Sequence, residues 1–98
     1  MKHTFHIVLN MKTLNGFETI GKFCIGNNHD ASNSVFELLH GTEVLQEADI
    51  LHMDLVETID SLPVNIRVIS CTLEEFAGNC KLITKELFKL VNLGDHTI

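Results

Sequence analysis

The sequence predicts an α+β domain in which a four-stranded antiparallel sheet carries two helices on one face. Three observations lead to this fold. Two segments that alternate apolar and polar residues flank an Asn-Gly pair, a second pair of such segments follows at 50–71, and a stretch with helical spacing comes after each pair. The 98 residues suit one domain with one core. We therefore interpret 1–98 as a single domain with the order β-β-α-β-β-α.

The first two elements form a predicted hairpin. Residues 4–12 and 17–25 each alternate, and Asn15-Gly16 between them is a strong turn signal because both residues tolerate positive φ. The side predicted to face the helices consists of Phe5, Ile7, Leu9, Met11, Phe17, Thr19, Gly21, Phe23 and Ile25. The opposite side of the hairpin carries His6, Val8, Asn10, Lys12, Glu18, Ile20, Lys22 and Cys24.

A short helix is predicted next. Asp30 is the expected N-cap, a later start at the Ser34–Glu37 capping box is the alternative, and Gly41 is expected to end the helix in a left-handed conformation. The apolar stripe of this helix consists of Ala31, Val35, Leu38 and Leu39. The helix is therefore short and packs through one narrow face.

The second half repeats the pattern. Strands are predicted at 50–57 and 64–71, and Thr72-x-x-Glu75 is a capping box for a long helix at 73–92, with Gly94 just past its end. The fourth strand is expected to turn Val64, Ile66, Val68 and Ser70 inward and Asn65, Arg67, Ile69 and Cys71 outward. The stripe of the long helix consists of Leu73, Phe76, Cys80, Ile83, Leu87 and Leu90.

Two strand orders fit these elements. Pairing of the first and third strands gives a fully antiparallel sheet in the order 2-1-3-4, and the order 1-2-4-3 is the alternative. The two halves, 3–41 and 48–94, share a layout of hairpin and helix, which suggests a duplication of a ββα unit. Chance resemblance at this short length is the other interpretation.

Composition excludes several classes of partner. Seven basic and thirteen acidic residues give a formal net charge of −6, and no basic run exists, which argues against nucleic acid and anionic membranes as partners. No apolar run is long enough to span a membrane. The three cysteines form no CxxC pair, so we expect reduced thiols in an acidic cytoplasmic protein.

The segment HDASNSVFELLHG resembles a site, but each of its polar residues has a structural explanation as helix cap, turn or helix end. Glu37 and His40 form a Glu-x-x-His pair, yet this motif occurs once, without the second helix that di-iron bundles use. His6 and His52 share a sheet face but lack the ligand spacing of zinc sites. No paired base activates a cysteine. We therefore predict no catalytic residue, no metal and no cofactor.

The sheet face away from the helices carries more information than any single residue. It is predicted to be unusually apolar for an exposed face, which is typical of a protein-binding surface. The residues predicted to form this partner surface are His6, Val8, Ile20, Ile50, His52, Asp54, Val56, Arg67 and Ile69. We expect a non-catalytic interaction domain that forms a homodimer or binds another protein.

Two other classes of function stay open. A small-molecule or metal-binding domain would need a pocket between the first helix and the sheet, lined by Phe17, Phe23 and Phe36. A thiol-dependent enzyme, the weaker alternative, would need a cysteine with a depressed pKa.

Overall fold

The computed structural model of the chain describes residues 2–92, and side chains up to residue 90. Its elements are β1 (His3–Thr13), β2 (Gly16–Gly26), α1 (His29–Glu37), β3 (Leu51–Ile59), β4 (Leu62–Cys71) and α2 (Leu73–Asn92). The strands form one antiparallel sheet in the order β2-β1-β3-β4. This confirms the predicted fold class and element order, and it selects the first of the two predicted strand orders.

Both helices pack on the same face of the sheet. Val35 and Phe36 of α1 and Phe76 and Ile83 of α2 join one buried cluster with inward side chains of all four strands. The strand residues in that cluster are Phe5, Ile7, Ile25, Leu51, Met53, Leu55, Ile69 and Cys71. Within residues 2–92, no helix is long and apolar enough to cross a membrane. The duplication of two ββα halves stays a prediction.

Three β-bulges interrupt the strand pairing. In β2, Ile25 and Ile20 are each the extra residue opposite β1, and in β4 the extra residue is Ile66 opposite Leu55 and Val56. A bulge places two residues of one strand against one of its partner, so the alternation of side chains changes parity there. Each bulge therefore moves the following residues to the other face of the sheet.

The predicted inward set of β4 was wrong beyond its bulge. Ile69, which is 5% exposed, and Cys71 lie in the core, whereas Val68 and Ser70 lie on the opposite face. The bulge at Ile66 buries two apolar side chains against the helices instead of a valine and a hydroxyl, which favours the shifted alternation.

Arg67 was also predicted on the wrong face. It points to the helix side, where its guanidinium lies 5.1 Å from the ring centre of Phe36 and forms ion pairs with Glu37 and Glu43. Arg67 also donates a hydrogen bond to the Asn33 side chain at 3.2 Å. The arginine therefore fastens α1 to β4, and Glu37 of the HDASNSVFELLHG segment is one of its partners.

The ends of α1 differ from the sequence prediction. The N-cap is Asn28, whose Oδ1 accepts from the Ala31 backbone N–H at 2.8 Å, and Asp30 lies in the first turn. The helix ends at Glu37 with Leu38 as its C-cap, before Gly41. A Cβ on Gly41 would lie 2.7 Å from the Ser70 carbonyl oxygen, so glycine is needed there because the chain passes close to β4. The left-handed stop predicted at Gly41 was wrong.

Helix α2 begins as predicted. The Thr72 backbone N–H donates to Glu75 Oε1 at 2.9 Å, and the Glu75 backbone N–H donates to Thr72 Oγ1 at 3.1 Å, which is a capping box. Of the predicted stripe, Leu73 is 73% exposed and takes no part in the core. The predicted glycine stop, Gly94, lies outside the described residues.

Candidate functional site

The sheet side away from the helices, here termed the open face, is an ordered array of side chains. No described helix packs on it. From the pairing register, its rows read across β2, β1, β3 and β4 as Cys24, His6, Val56, Asn65; then Lys22, Val8, Asp54, Val68; then Thr19, Asn10, His52, Ser70. Lys12 and Phe17 follow at the end where β3 begins.

The predicted partner-surface residues fall into three groups. The structure places His6, Val8, His52, Asp54 and Val56 on the open face, as predicted. Ile20 is a bulge residue of the edge strand, 51% exposed, and Ile50 precedes β3, 62% exposed. Arg67 and Ile69 lie on the helix side, so their placement on this surface was wrong.

Sequence reasoning missed two apolar members of the open face. Val68 and Phe17 lie there because the bulges at Ile66 and Ile20 reverse the alternation. Phe17 stacks on the His52 imidazole with 4.2 Å between ring centres. It therefore does not line a pocket with Phe23 and Phe36, and that predicted pocket was wrong.

Asp54 stands at the centre of the open face in an unusual state. It is only 9% exposed; Asn65 donates to its Oδ2 at 3.1 Å, while its Oδ1 has no hydrogen-bond partner among the described residues. Burial raises the pKa of the Asp54 carboxyl, and the nearby side chains of Asn10, His52 and Asn65 offset part of that shift. An incompletely paired carboxylate in this position costs folding free energy, so it calls for a further donor.

We expect Asp54→Asn to gain stability relative to the wild type as the pH rises from about 4 to 7. The folded chain holds the Asp54 proton more tightly than the unfolded chain does. The stability due to the protonated carboxyl is therefore full below the unfolded pKa and is lost as the pH rises through the folded pKa. Asparagine has nearly the same shape and avoids that loss.

Urea unfolding at both pH values, at the lowest protein concentration that circular dichroism allows, measures the difference. Asp30→Asn is the matched control because the Asp30 side chain is fully exposed. An advantage of Asp54→Asn that does not grow with pH would contradict the prediction.

The segment between α1 and β3 covers one end of the open face. His52 Nε2 lies 3.1 Å from Asp49 Oδ2, and the side chains of His52 and Asp49 are 15% and 12% exposed. The Gln46 backbone N–H and the His52 imidazole lower the pKa of Asp49. Lys12 Nζ donates to the Glu47 carbonyl oxygen at 2.7 Å. These contacts hold the segment down and leave the central rows uncovered.

Charge is distributed unevenly across the open face. Lys12 and Lys22 lie on the β1–β2 half, whereas Asp54 lies on β3 and Asp49 lies beside it. Burial and the neighbouring Lys22 ammonium lower the pKa of His6, so this imidazole resists taking up a proton. One half of the face is thus basic and the other acidic.

A cleft of about 480 Å³ opens at the end of the sheet where α2 begins. Its lining is mostly apolar and includes Met11, Ile50, Leu51 and Leu73. Thr72 and Glu75 line it too, but they form the helix capping box described above. The cleft is therefore a hydrophobic surface feature with few free polar groups.

Two of the three thiols have raised pKa values. Burial and the nearby Glu75 carboxylate raise the pKa of Cys71 to about 11, and burial raises that of Cys80. Both are consequently poor thiolate nucleophiles at neutral pH. Within residues 2–92, no three His, Cys, Asp or Glu side chains form a group that could hold a metal ion.

Comparison with known proteins gave no relationship. No family model matches the chain, and neither the curated proteins nor the solved structures include a match.

Proposed function

We propose that this chain is a protein-interaction domain that associates with a second copy of itself through the open face. The observation that supports the proposal most is Asp54, a nearly buried carboxylate at the centre of a face that no described helix covers. One of its oxygens has no hydrogen-bond partner within residues 2–92. Val8, Val56 and Val68 surround it in the pairing register. Apolar groups around an incompletely paired polar group are typical of a surface whose partner completes it.

The size of the face suits a dimer of moderate affinity. Four strands about 4.8 Å apart, paired over about eight residues of about 3.3 Å each, give roughly 500 Å² per subunit. Two such faces bury about 1,000 Å², which is the lower limit for a specific interface. We therefore expect a dissociation constant in the micromolar range.

Val68→Lys should weaken the dimer without unfolding the chain. Val68 is partly exposed beside Asp54, so a lysine there pairs with that carboxylate within one subunit and adds a charge to the apolar centre of the interface. Sedimentation equilibrium at about 100 μM measures the shift, which we expect to exceed ten-fold in the dissociation constant.

Ala77→Lys is the control, because it adds the same charge at an exposed position of α2, on the other side of the molecule. A wild-type monomer at about 100 μM would refute self-association. A dimer that Val68→Lys leaves intact would show that another surface is used.

The apolar cleft favours a second candidate function, the binding of a small hydrophobic molecule. Its volume of about 480 Å³ falls within the range of ligand pockets. Displacement of a fluorescent apolar probe by medium-chain fatty acids and alcohols tests it, with Leu73→Ser as the variant that should weaken probe binding. Equal probe binding by the wild type and by Leu73→Ser would contradict a ligand site in the cleft.

A further inference from the structure

We propose that the two copies pack with their twofold axis parallel to the strands, so that Lys22 of each subunit pairs with Asp54 of the other. This inference rests on the proposed self-association and adds the orientation of the partner and the contact that determines it. It follows from one row of the sheet, its charges and the spacing of packed sheets.

The row reads Lys22, Val8, Asp54 and Val68 across β2, β1, β3 and β4. Rotation about an axis parallel to the strands, between β1 and β3, lays the same row over itself in reverse order. Lys22 then faces the partner's Val68, and Val8 faces the partner's Asp54. Each lysine is thus one strand away from a partner carboxylate, and this contact occurs twice because the interface is isologous.

The distance between these groups can be bridged. Packed sheets lie about 10 Å apart and adjacent strands about 4.8 Å apart, so the two Cα atoms would be about 11 Å from each other. The flexible stem of lysine and the shorter stem of aspartate can span that gap. The lysine would supply the donor that Asp54 Oδ1 lacks, and Lys22 forms no ion pair within residues 2–92.

The other simple arrangement is unfavourable. An axis perpendicular to the strands lays each strand over its own copy, and such an axis through this row brings Lys22 against Lys22 and Asp54 against Asp54. Like charges placed together in a partly dry interface oppose association and suppress that register. The basic half of the open face, with Lys12 and Lys22, fits the acidic half of a partner only in the first arrangement.

A double-mutant cycle on the dimer tests the contact. Lys22→Gln and Asp54→Asn should each raise the dissociation constant about ten-fold, and the double variant should raise it by little more than either single change. Both substitutions remove a charge and nearly keep the shape of the side chain, so we expect the fold to be retained. Circular dichroism verifies this. Effects that multiply to about a hundred-fold in the double variant would overturn the pairing.

Cross-linking tests the orientation independently. In the proposed arrangement Cys24 of one subunit faces the partner's Asn65, while the two copies of Cys24 lie at opposite edges of the interface. A short bismaleimide should therefore join Asn65→Cys dimers through Cys24 but leave the wild type uncrosslinked. Because this substitution removes the Asn65 donor to Asp54, sedimentation first verifies that the variant is a dimer. If the wild type became cross-linked and Cys24→Ser did not, the proposed orientation would be overturned. A wild type that sediments as a monomer would instead refute the proposed function itself.

Discussion

Replacement of Asn79 by alanine should cost about 3 kcal/mol of unfolding free energy, a large share of the stability of a domain this size. Asn79 is fully buried in the middle of α2. Its Oδ1 accepts from the His40 backbone N–H at 2.8 Å, and its Nδ2 donates to the His40 carbonyl oxygen at 2.8 Å. Alanine would leave both backbone groups of His40 without this partner and would open a cavity beside Met53 and Cys71.

Urea unfolding followed by circular dichroism measures this loss, which corresponds to a drop in Tm on the order of 15 °C. Thr84→Ala is the control on the same helix, because Thr84 is exposed and its hydroxyl donates to the Cys80 carbonyl oxygen one turn earlier. We expect that variant to unfold within about 0.5 kcal/mol of the wild type. Similar losses for the two variants would show that Asn79 does not fasten the segment after α1.

Asn79 also shows what periodicity cannot reveal. The apolar stripe of α2 correctly identified Phe76 and Ile83 as core residues. An asparagine on the same side of the helix reads as an interruption of that stripe, although it is as buried as Ile83. Its partner is the backbone of His40, thirty-nine residues earlier, and no local pattern indicates a contact of that kind.

The element order and the strand order could be predicted because they depend on local signals. Alternation located the four strands, and the Thr72–Glu75 capping box fixed the start of α2. With two hairpins and two helices that must share one face, few topologies remain. The hairpin turn lies where the sequence placed it, although Leu14 and Asn15 form the turn and Gly16 alone takes the positive φ there.

The face of each side chain was less predictable than the strand that carries it. In β4 both alternating sets contain apolar residues, with Val64, Ile66 and Val68 in one and Ile69 and Cys71 in the other. Hydrophobicity therefore leaves the choice open, and a bulge that changes the set midway has no sequence signature. The same reasoning explains Phe17, which changes face at the Ile20 bulge.

Because of these bulges, only part of the open face could be predicted from the sequence. His6, Val8, His52, Asp54 and Val56 precede or avoid the bulges and lie where the alternation put them. The sequence placed Asp54 on the partner surface but gave it no special role there. Its burial, its raised pKa and its unpartnered oxygen depend on the register of β1, β3 and β4 together, which only the structure provides.

The largest effect that we expect depends on which side chains of β4 face the helices. Ile69→Lys should unfold the chain, with a loss above about 4 kcal/mol, whereas the neighbouring Val68→Lys should leave it folded. Ile69 is 5% exposed in the core, where an ammonium loses its hydration among apolar side chains. Val68 lies on the open face beside Asp54, where the same ammonium gains a carboxylate partner.

The two variants are prepared in the same way and compared by circular dichroism and urea unfolding. The comparison measures how the same substitution affects stability at adjacent positions on opposite faces of the sheet. Ile69→Val, which keeps an apolar side chain in the core, should cost only about 1 kcal/mol and excludes a general intolerance of change at that site. If Val68→Lys unfolded the chain and Ile69→Lys did not, the alternation first predicted from the sequence would be right. In that case the bulge at Ile66 would be absent, and Val68 could not belong to the surface that we propose for the dimer.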